Sequence, residues 1–444
     1  HYPLRRQRQM CIRDRYRCAE DTNTIFSDTV PYLLIANISI IFLYILFSKY
    51  SKTKIIIDHN VLLFVGITFY WLMPIYAYEN NIFIYHSRDI YESINIENIE
   101  LFLFFTLLIV ITIILSDFIS RKLTVVFSVK NFCYSKAILD LFFWFFFTAT
   151  CSSAYFLRHM FFHDYETVGT WPLQRGWFIA GCLGLTTLNI MYSYIQITNH
   201  NYISSKNLFK KMFYNKYFIS ALLFNFLMLT TGNRGYFISF SFSIILMYAD
   251  LYRGIKIKYL IIFFGLAILL TSYVALIRSG AELYSVAAFT GVFFYEFVNV
   301  AITLLHHLQY MDYNLFEFPA ILISKFIGII PSIIFPGKFS LMLSPEDVGK
   351  VVRRFQGTTH TYVELIINFG LIGTLFFFFL LGIAFNWLKS KKHYTPIYIA
   401  VCANIPFFFF RSFYSVSVKN ILEFSILLPL TILLISYLYR KYKP

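Results

Sequence analysis

Charged residues are scarce in this chain of 444 residues: Asp, Glu, Lys and Arg make up 14% of it, whereas 58% is hydrophobic. Soluble domains typically contain about 25% charged residues. The apolar residues lie in blocks of roughly 15 to 22, the length that crosses the ~30 Å hydrocarbon core of a bilayer as a helix. The composition excludes an ordinary soluble domain and predicts an all-α, polytopic bundle of about 11–13 transmembrane helices.

The signatures of several common enzyme classes are missing. The sequence contains no G-x-x-x-x-G-K-[ST] phosphate loop, no H-E-x-x-H zinc motif and no G-x-S-x-G nucleophile elbow. It also lacks an external pair of Asp residues of the kind that binds a metal in some membrane glycosyltransferases. We therefore expect any chemistry here to use no metal and no cofactor.

Cysteine is infrequent, and no C-x-x-C spacing occurs. The six residues are Cys11, Cys18, Cys133, Cys151, Cys182 and Cys402. Scattered cysteines within apolar blocks are typical of small buried helix residues. The pattern therefore provides no argument for a metal site.

The net charge of +15 does not indicate nucleic-acid binding. Residues 1–17 hold six Arg and one Asp but no apolar core of a signal peptide, and we interpret them as a non-native flank. The other basic residues lie in short loops between apolar blocks, which is the positive-inside pattern of membrane proteins. We expect residues 18–444 to form one integral membrane domain that contacts the bilayer and no nucleic acid.

The basic loops also orient the chain. We predict spans at about 30–48, 60–78, 100–118, 137–157, 177–197, 217–231, 235–251, 258–277, 362–388, 397–411 and 421–439. Loops rich in Lys and Arg alternate with loops that lack them, so the former are expected in the cytoplasm. This orientation places residue 30 outside, and a missing first helix would restore a cytoplasmic start.

Two interpretations stay open for the zone 279–360. Its apolar stretches, at about 286–305 and 318–335, form either two further spans or helices of one large external loop or re-entrant region. Glu296 and Lys325 would be costly inside lipid, and Asp312 lies in a linker without Lys or Arg. These residues favour the external or re-entrant interpretation.

A polar cluster marks the start of the span at 362–388. His360, Glu364 and Asn368 are spaced four residues apart where a Gly/Thr-rich loop enters an apolar helix. A neutral imidazole can take a proton from a sugar hydroxyl, so His360 is the candidate general base. A lone His is more often structural, and by residue type alone His163, His306 and His307 are equal candidates.

The other polar residues of this cluster have structural interpretations. Thr361-x-x-Glu364 has the pattern of a capping box, in which Glu364 would only satisfy first-turn amides. The cap would still fix the helix start beside His360, with the positive end of the helix dipole facing the same place. Asn368, Gly370 and Gly373 are more typical of close helix packing.

Six basic residues are predicted on the external side or at its boundary. They are Arg234, Arg278, Lys338, Arg353, Arg354 and Arg411. Guanidinium groups bind phosphate oxygens in a bidentate manner, so several of them together would suit a lipid-linked pyrophosphate. The alternative is that they only extend towards lipid headgroups.

Four segments in this order resemble the Wzy-type O-antigen polymerases, which polymerise oligosaccharide repeat units. The segments are TGNRG at 231–235, LIRSG at 276–280, IPSIIFPGK at 330–338 and GTTHTYVELIINFG at 357–370. The resemblance covers roughly residues 225–390. One departure is Phe339, where the family often has Pro, and this affects only the expected local loop shape.

The resemblance implies a metal-independent glycosyltransferase at the periplasmic face of the bacterial cytoplasmic (inner) membrane. It would transfer a glycan from undecaprenyl pyrophosphate to a new lipid-linked repeat unit, building O-antigen for lipopolysaccharide or a related surface polysaccharide. Arg278 and Arg234 would hold the pyrophosphate, His360 would deprotonate the acceptor, and Glu364 would orient it. Lys338, Arg353, Arg354 and Arg411 would bind phosphate or glycan.

Partners implied by the resemblance are a chain-length regulator and a flippase of the same pathway. Three other functions stay open: an O-antigen ligase, which differs in its acceptor, a flippase for lipid-linked oligosaccharides, and an assembly protein without activity. A transporter would be expected to have charges at mid-membrane depth and an internal repeat. The sequence shows charges towards one face and no repeat.

Overall fold

The structure, a computed structural model, describes the chain in segments. These are residues 29–51, 54–79, 96–122, 134–161, 174–199, 214–231, 233–252, 254–279, 300, 304, 307–308, 314–330, 335–343, 360–391, 394–410 and 418–442. The flank 1–17 and most of the apolar stretch at 286–305 lie outside them.

Helices dominate the described residues, as the composition predicts. They are α1 Thr29–Tyr44, α2 His59–Gly66, α3 Met73–Glu79, α4 Ile96–Lys122, α5 Lys136–Phe156, α6 Gln174–Asn199, α7 Lys216–Thr230, α8 Arg234–Tyr252, α9 Ile257–Ser279, α10 Ala320–Ile329, α11 Lys338–Leu341, α12 Thr361–Ser390, α13 Thr395–Cys402, α14 Val418–Asn420 and α15 Leu428–Tyr442. Four π-helical turns adjoin them, at Ile45–Lys49, Ile67–Leu72, Ile405–Phe409 and Ile421–Leu427.

Seven helical stretches among the described residues are long and apolar enough to cross a bilayer. They are Thr29–Lys49, His59–Tyr76, Glu97–Ser120, Lys136–Phe156, Gln174–Gln196, Thr361–Ser390 and Ile421–Tyr442. Large apolar side chains project outward from the bundle, including Phe47, Leu141 and Ile261. A surface of this kind is unfavourable in water but matches lipid. The chain is therefore a helical membrane protein with several spans.

Outside the zone 279–360 the predicted helices are confirmed, because the structure has helix at each predicted span there. Within that zone, the apolar stretch at 318–335 contains α10, which has only ten residues. Ten helical residues rise about 15 Å, half of the ~30 Å hydrocarbon core. The stretch therefore does not cross the membrane as one helix, which favours the external or re-entrant interpretation.

A small sheet is present that the all-α prediction missed. The strands β1 Tyr50–Ser51, β2 Lys54–Ile55 and β3 Ile255–Lys256 pair antiparallel in that order. Each strand has only two residues, too short for an alternating pattern to be recognised in the sequence. The sheet joins the chain after α1 to the start of α9.

Two clusters of buried hydrophobic side chains form the core. One is built mainly from α1, α2, α4, α8, α12 and α13, and the other mainly from α5, α6, α7 and α15. The π-helical turn Ile405–Phe409 contributes to both, since Ile405 and Phe409 belong to the first cluster and Phe407 and Phe408 to the second. This turn therefore lies where the two halves of the bundle meet.

Buried charges join four helix ends at one end of the bundle, which we call the basic end. The ammonium group of Lys49 lies 2.7 Å from Asp58 Oδ2 and 3.2 Å from Asp117 Oδ2. Lys389, in the last turn of α12, lies 3.3 Å from Asp58 Oδ2. Tyr44 donates to Asp117 at 2.5 Å. Lys49 and the two aspartates are buried, whereas the side chain of Lys389 is 37% exposed, so the two lysines balance two buried carboxylates.

Asp58 is the centre of this network. Its Oδ1 accepts from the backbone N–H of Val61 at 3.3 Å and caps α2. Burial raises the pKa of the Asp58 carboxyl, but Lys389 and Lys49 outweigh burial and hold that pKa well below its ordinary value. Asp58 is therefore charged at neutral pH, and without its charge Lys49 would keep only Asp117 and Lys389 would lose the carboxylate that it contacts.

We expect Asp58→Asn to destabilise the folded chain by about 3–5 kcal/mol, the cost of breaking a buried ion pair from one side. The amide keeps the shape of the side chain and its oxygen can still cap α2, so the loss reports the charge. The measurement is the thermal unfolding midpoint of the detergent-solubilised chain.

Glu423→Gln is the matched control, because it breaks the partly exposed pair between Lys419 and Glu423. Exposed pairs contribute at most about 1 kcal/mol. Equal losses in the two variants would contradict a stabilising role for the buried network.

Candidate active site at the His360 end

Helix α8 begins towards the end of the bundle opposite to the basic end, because Lys54 donates to the carbonyl of Tyr252, the last residue of α8, at 3.0 Å. We call this opposite end the His360 end. The last turn of α12 lies at the basic end through Lys389, but α12 is broken at Gly370, and its first residue contacts Phe409, whose ring packs against Phe377 and Phe378 in the middle of α12. Helix N-termini carry partial positive charge, which favours anions there.

Both helix starts contact the π-helical turn Ile405–Phe409. The hydroxyl of Thr361, the first residue of α12, donates to the Phe409 carbonyl. Gly235, the second residue of α8, packs so closely against the Phe407 ring that a Cβ at this position would overlap it. The turn therefore holds the two helix starts close together at the junction of the two core clusters.

His360 precedes α12 and is fully buried. Its Nε2 lies 3.2 Å from the carbonyl oxygen of Tyr70, so Nε2 carries the proton and donates it. Tyr70 belongs to a π-helical turn, where the shifted hydrogen-bond pattern makes a carbonyl available. Nδ1 is then in its lone-pair form, and it has no hydrogen-bond partner among the described residues.

Burial lowers the pKa of His360 to about 3, although the hydrogen bond to Tyr70 opposes the shift. The ring is therefore neutral at pH 7, as a general base must be. A general base is most effective when its pKa lies near the working pH. In this buried arrangement His360 is a weaker base than the sequence suggests, and its catalytic role stays a prediction.

The capping box predicted at Thr361-x-x-Glu364 is wrong. The N-cap residue is His360, one position earlier, and Thr361 is already helical. Its hydroxyl bonds the Phe409 carbonyl instead of a first-turn amide. The tertiary contact to the π-helical turn therefore overrides the local capping pattern. Glu364 is buried, one helical turn beyond His360.

The expected packing role is confirmed for Asn368, whereas Gly370 breaks its own helix and packs against a segment that is not helical. Asn368 Oδ1 accepts from the backbone N–H of Leu322 in α10 at 3.0 Å. Gly370 breaks α12 with φ of 69°, and a Cβ there would lie 2.7 Å from the backbone of Leu315 and Phe316. Only glycine adopts this conformation readily at such a close approach.

Arg234 and an arginine that the sequence analysis missed lie on neighbouring helix starts. Arg234 is the first residue of α8 and is largely buried. Arg175, the second residue of α6, donates from Nη2 to the side chain of Asn233 at 2.9 Å. The signal for Arg175 was its position in a predicted external loop, where the positive-inside pattern does not explain an arginine.

Lys338 has a structural role that the sequence did not predict. Its ammonium group donates to the carbonyls of Gly328 at 3.1 Å and Ile330 at 2.6 Å. It therefore satisfies carbonyl groups at the C-terminal end of α10, where a cation also favours the helix dipole. These contacts engage two of its three donors, and its binding of glycan stays a prediction.

The other basic candidates are not placed. Arg278 lies in the last turn of α9, but its side chain is not described, and Arg353, Arg354 and Arg411 lie outside the described residues. Among the described residues, no His, Cys, Asp and Glu side chains are grouped to hold a metal ion. Cys182 and Cys402 are buried, as expected, whereas the same expectation is wrong for the exposed Cys151.

In comparisons with known proteins, no family model, no curated protein and no solved structure matches the chain. The resemblance to O-antigen polymerases therefore rests on the four sequence segments alone.

We expect Gly370→Ala to destabilise the fold by about 1–3 kcal/mol, the usual cost of a strained backbone conformation. The added Cβ meets backbone atoms of Leu315 and Phe316, which cannot rotate away. The control is Gly265→Ala in α9, where nothing lies within 4 Å of the added Cβ. Thermal midpoints would check both variants, and a harmless Gly370→Ala would contradict the observed break in α12.

The stability of the fold is expected to depend on pH through His360. Between about pH 6.5, the ordinary pKa of His, and its folded pKa of about 3, the unfolded chain binds a proton at His360 that the folded chain does not. The contribution of His360 to stability is therefore lost as the pH falls through this window. We expect His360→Gln to reduce the fall in thermal midpoint between pH 7 and pH 4. An unchanged pH profile would contradict the buried, neutral ring.

Proposed function

We propose that the chain is a membrane glycosyltransferase that polymerises undecaprenyl-pyrophosphate-linked oligosaccharide repeat units. The product would be O-antigen or a related surface polysaccharide, made at the periplasmic face of the bacterial inner membrane. The observation that carries the proposal is the convergence of the starts of α8 and α12, which contain Arg234 and follow His360 respectively, on the π-helical turn Ile405–Phe409 through Gly235 and Thr361. This turn lies towards the end of the bundle that the basic loops predict to be external.

The proposal assigns anion binding to the starts of α6 and α8. Arg175 and Arg234 are joined through Asn233, which neighbours Arg234 in the chain and accepts from Arg175. Two guanidinium groups beside helix N-termini suit the charge and the planar bidentate geometry of a pyrophosphate. They would stabilise the negative charge that develops as the pyrophosphate leaves the sugar. Arg278 would join them from the last turn of α9.

The proposal assigns the acceptor side to the start of α12. Tyr70 holds the proton on Nε2 of His360, so Nδ1 has the lone pair that can accept a proton from a sugar hydroxyl. Glu364, one turn along the same helix, would orient the acceptor. The new glycosidic bond would form as the hydroxyl oxygen attacks the anomeric carbon and the pyrophosphate departs.

This mechanism requires that the acceptor reaches a side chain that is buried in the structure. His360 is fully buried, so an acceptor hydroxyl reaches Nδ1 only if side chains around the ring move. A hydroxyl in contact with Nδ1 would replace part of the lost solvation, which raises the pKa of the ring towards the useful range. The proposal therefore requires that binding of the acceptor opens the start of α12.

The test is a reconstituted assay of the full chain with lipid-linked repeat units isolated from cells that make this protein. Glycan length is read as a ladder on a gel for the wild type, His360→Gln and Arg234→Lys. We expect a ladder from the wild type and single units from both variants. Loss of general-base catalysis alone costs about 10²–10⁴-fold in rate.

Arg158→Lys is the control, because Arg158 is exposed and, among the described residues, its guanidinium donates locally to the Tyr155 carbonyl at 3.3 Å. It should keep the ladder. No ladder from a folded wild type would reject the polymerase, and transfer to a lipid A core acceptor in the same assay would indicate the ligase. A ladder that survives His360→Gln would remove His360 from the mechanism.

A further inference from the structure

The two described segments Asn314–Ile330 and Phe335–Leu343, which we call the α10–α11 element, join α12 at its break. The backbone N–H of Leu371 donates to Asn314 and that of Ile372 donates to Leu315, each at 3.0 Å. The break at Gly370 removes these amides from the helical pattern, and the element supplies the missing acceptors. The element is therefore fixed to α12 at one defined level.

The position of Leu371 and Ile372 along the membrane normal follows from the length of the helix between them and the basic end. From Leu371 to Ser390, α12 continues to the basic end, and a helix of this length rises about 30 Å. This rise equals the ~30 Å thickness of the hydrocarbon core. Leu371 and Ile372 therefore lie near one boundary of the core, at the His360 end, and the α10–α11 element lies at the same boundary.

The outer surface of the element is strongly apolar. Leu315, Phe316 and Phe318 are 59%, 68% and 73% exposed, in a run of four residues that contains only one charge, Glu317. Phe326 of α10 and Leu341 of α11 are exposed as well. An apolar surface with three aromatic rings is unfavourable in water.

This surface continues a lipid-facing stripe of α12. Ile372, Phe376 and Leu380 are exposed and spaced four residues apart, so they share one face of the helix. Ile372 bonds Leu315 through its backbone, which makes the two apolar surfaces adjacent. Since α12 is long and apolar enough to cross the bilayer, its exposed stripe faces acyl chains, and those chains reach the element at the same boundary.

Two polar side chains that the structure describes in the element bond within it, which suits a place next to lipid. Lys338 bonds the carbonyls of Gly328 and Ile330, and Ser324 accepts from the N–H of Leu343 at 2.9 Å. Glu317, which lies between Phe316 and Phe318 in the chain, is exposed and accepts a hydrogen bond from Asn314. A carboxylate among exposed rings suits the headgroup level, with water above and acyl chains below.

We propose that the α10–α11 element is a monotopic membrane insertion that embeds Leu315, Phe316 and Phe318 among the acyl chains of the leaflet at the His360 end. It enters and leaves the bilayer on the same side. Its bound partner is the lipid of that leaflet, and it anchors α12 at the membrane boundary through the bonds to Leu371 and Ile372.

The test uses site-directed spin labelling of the full chain. The six cysteines are replaced by Ala, and single cysteines are introduced by Phe316→Cys or Phe318→Cys. The labelled chain is reconstituted in vesicles of phosphatidylethanolamine and phosphatidylglycerol. Collisions of the label with oxygen, which partitions into lipid, are compared with collisions with a water-soluble nickel chelate.

Two further variants calibrate the ratio of these collision rates. Phe376→Cys, in the middle of the stripe on α12, is the standard for lipid, and Tyr214→Cys, which precedes α7 and is 78% exposed, is the standard for water. We expect the ratio at Phe316 and Phe318 to shift away from the Tyr214 standard towards the Phe376 standard. Thermal midpoints of the variants and of the cysteine-free parent verify the fold.

Either of two results would overturn the proposal. A ratio equal to that at Tyr214 would show that the surface faces water. Protection from both oxygen and the nickel chelate would show that another part of this chain, or a second copy of it, covers the surface. Because both introduced cysteines sample the same surface, one of them suffices if the other variant fails to fold.

Discussion

The break in α12 at Gly370 imposes the constraint on which the arrangement of this protein depends. A helix in lipid satisfies its own backbone, but a break leaves amide groups that the bilayer cannot bond. Here the carbonyls of Asn314 and Leu315 receive those amides, and this contact requires a glycine. The α10–α11 element is therefore an integral part of the bundle, because its carbonyls accept the amides that the break in α12 releases.

Helix α12 begins next to His360 and ends at the basic end of the bundle. At the basic end its Lys389 is held by Asp58, in a network whose charges balance inside the protein. Further along, Gly382 packs against Ser116 of α4 with no room for a Cβ. These contacts fix the axial position of the helix. His360 lies beyond the break and is positioned by its own bond to the Tyr70 carbonyl and by the ring of Trp71.

The candidate site combines features of a catalytic centre with those of a closed core. The tautomer of His360 and the neighbouring arginines suit acid–base and phosphate chemistry, whereas full burial of the ring suits stability. The π-helical turns at Ile67–Leu72 and Ile405–Phe409 hold the start of α12, because one provides a carbonyl to His360 and the other provides a carbonyl to Thr361. Such turns are frequent at functional sites because they present backbone groups that a regular helix uses itself.

The sequence by itself determined the class of protein and nearly all the helix positions, because blocks of apolar residues long enough to cross lipid have few alternatives. It also pointed to His360 and Arg234, since polar residues at the ends of spans are conspicuous. Only the tertiary structure decided which charges pair: Lys49 and Lys389 look like ordinary loop cations, and the structure shows that both contact the buried Asp58. The same holds for Arg175, for the cap at His360 and for the role of Lys338, because each depends on a partner distant in sequence or on a local fold that no periodic pattern encodes.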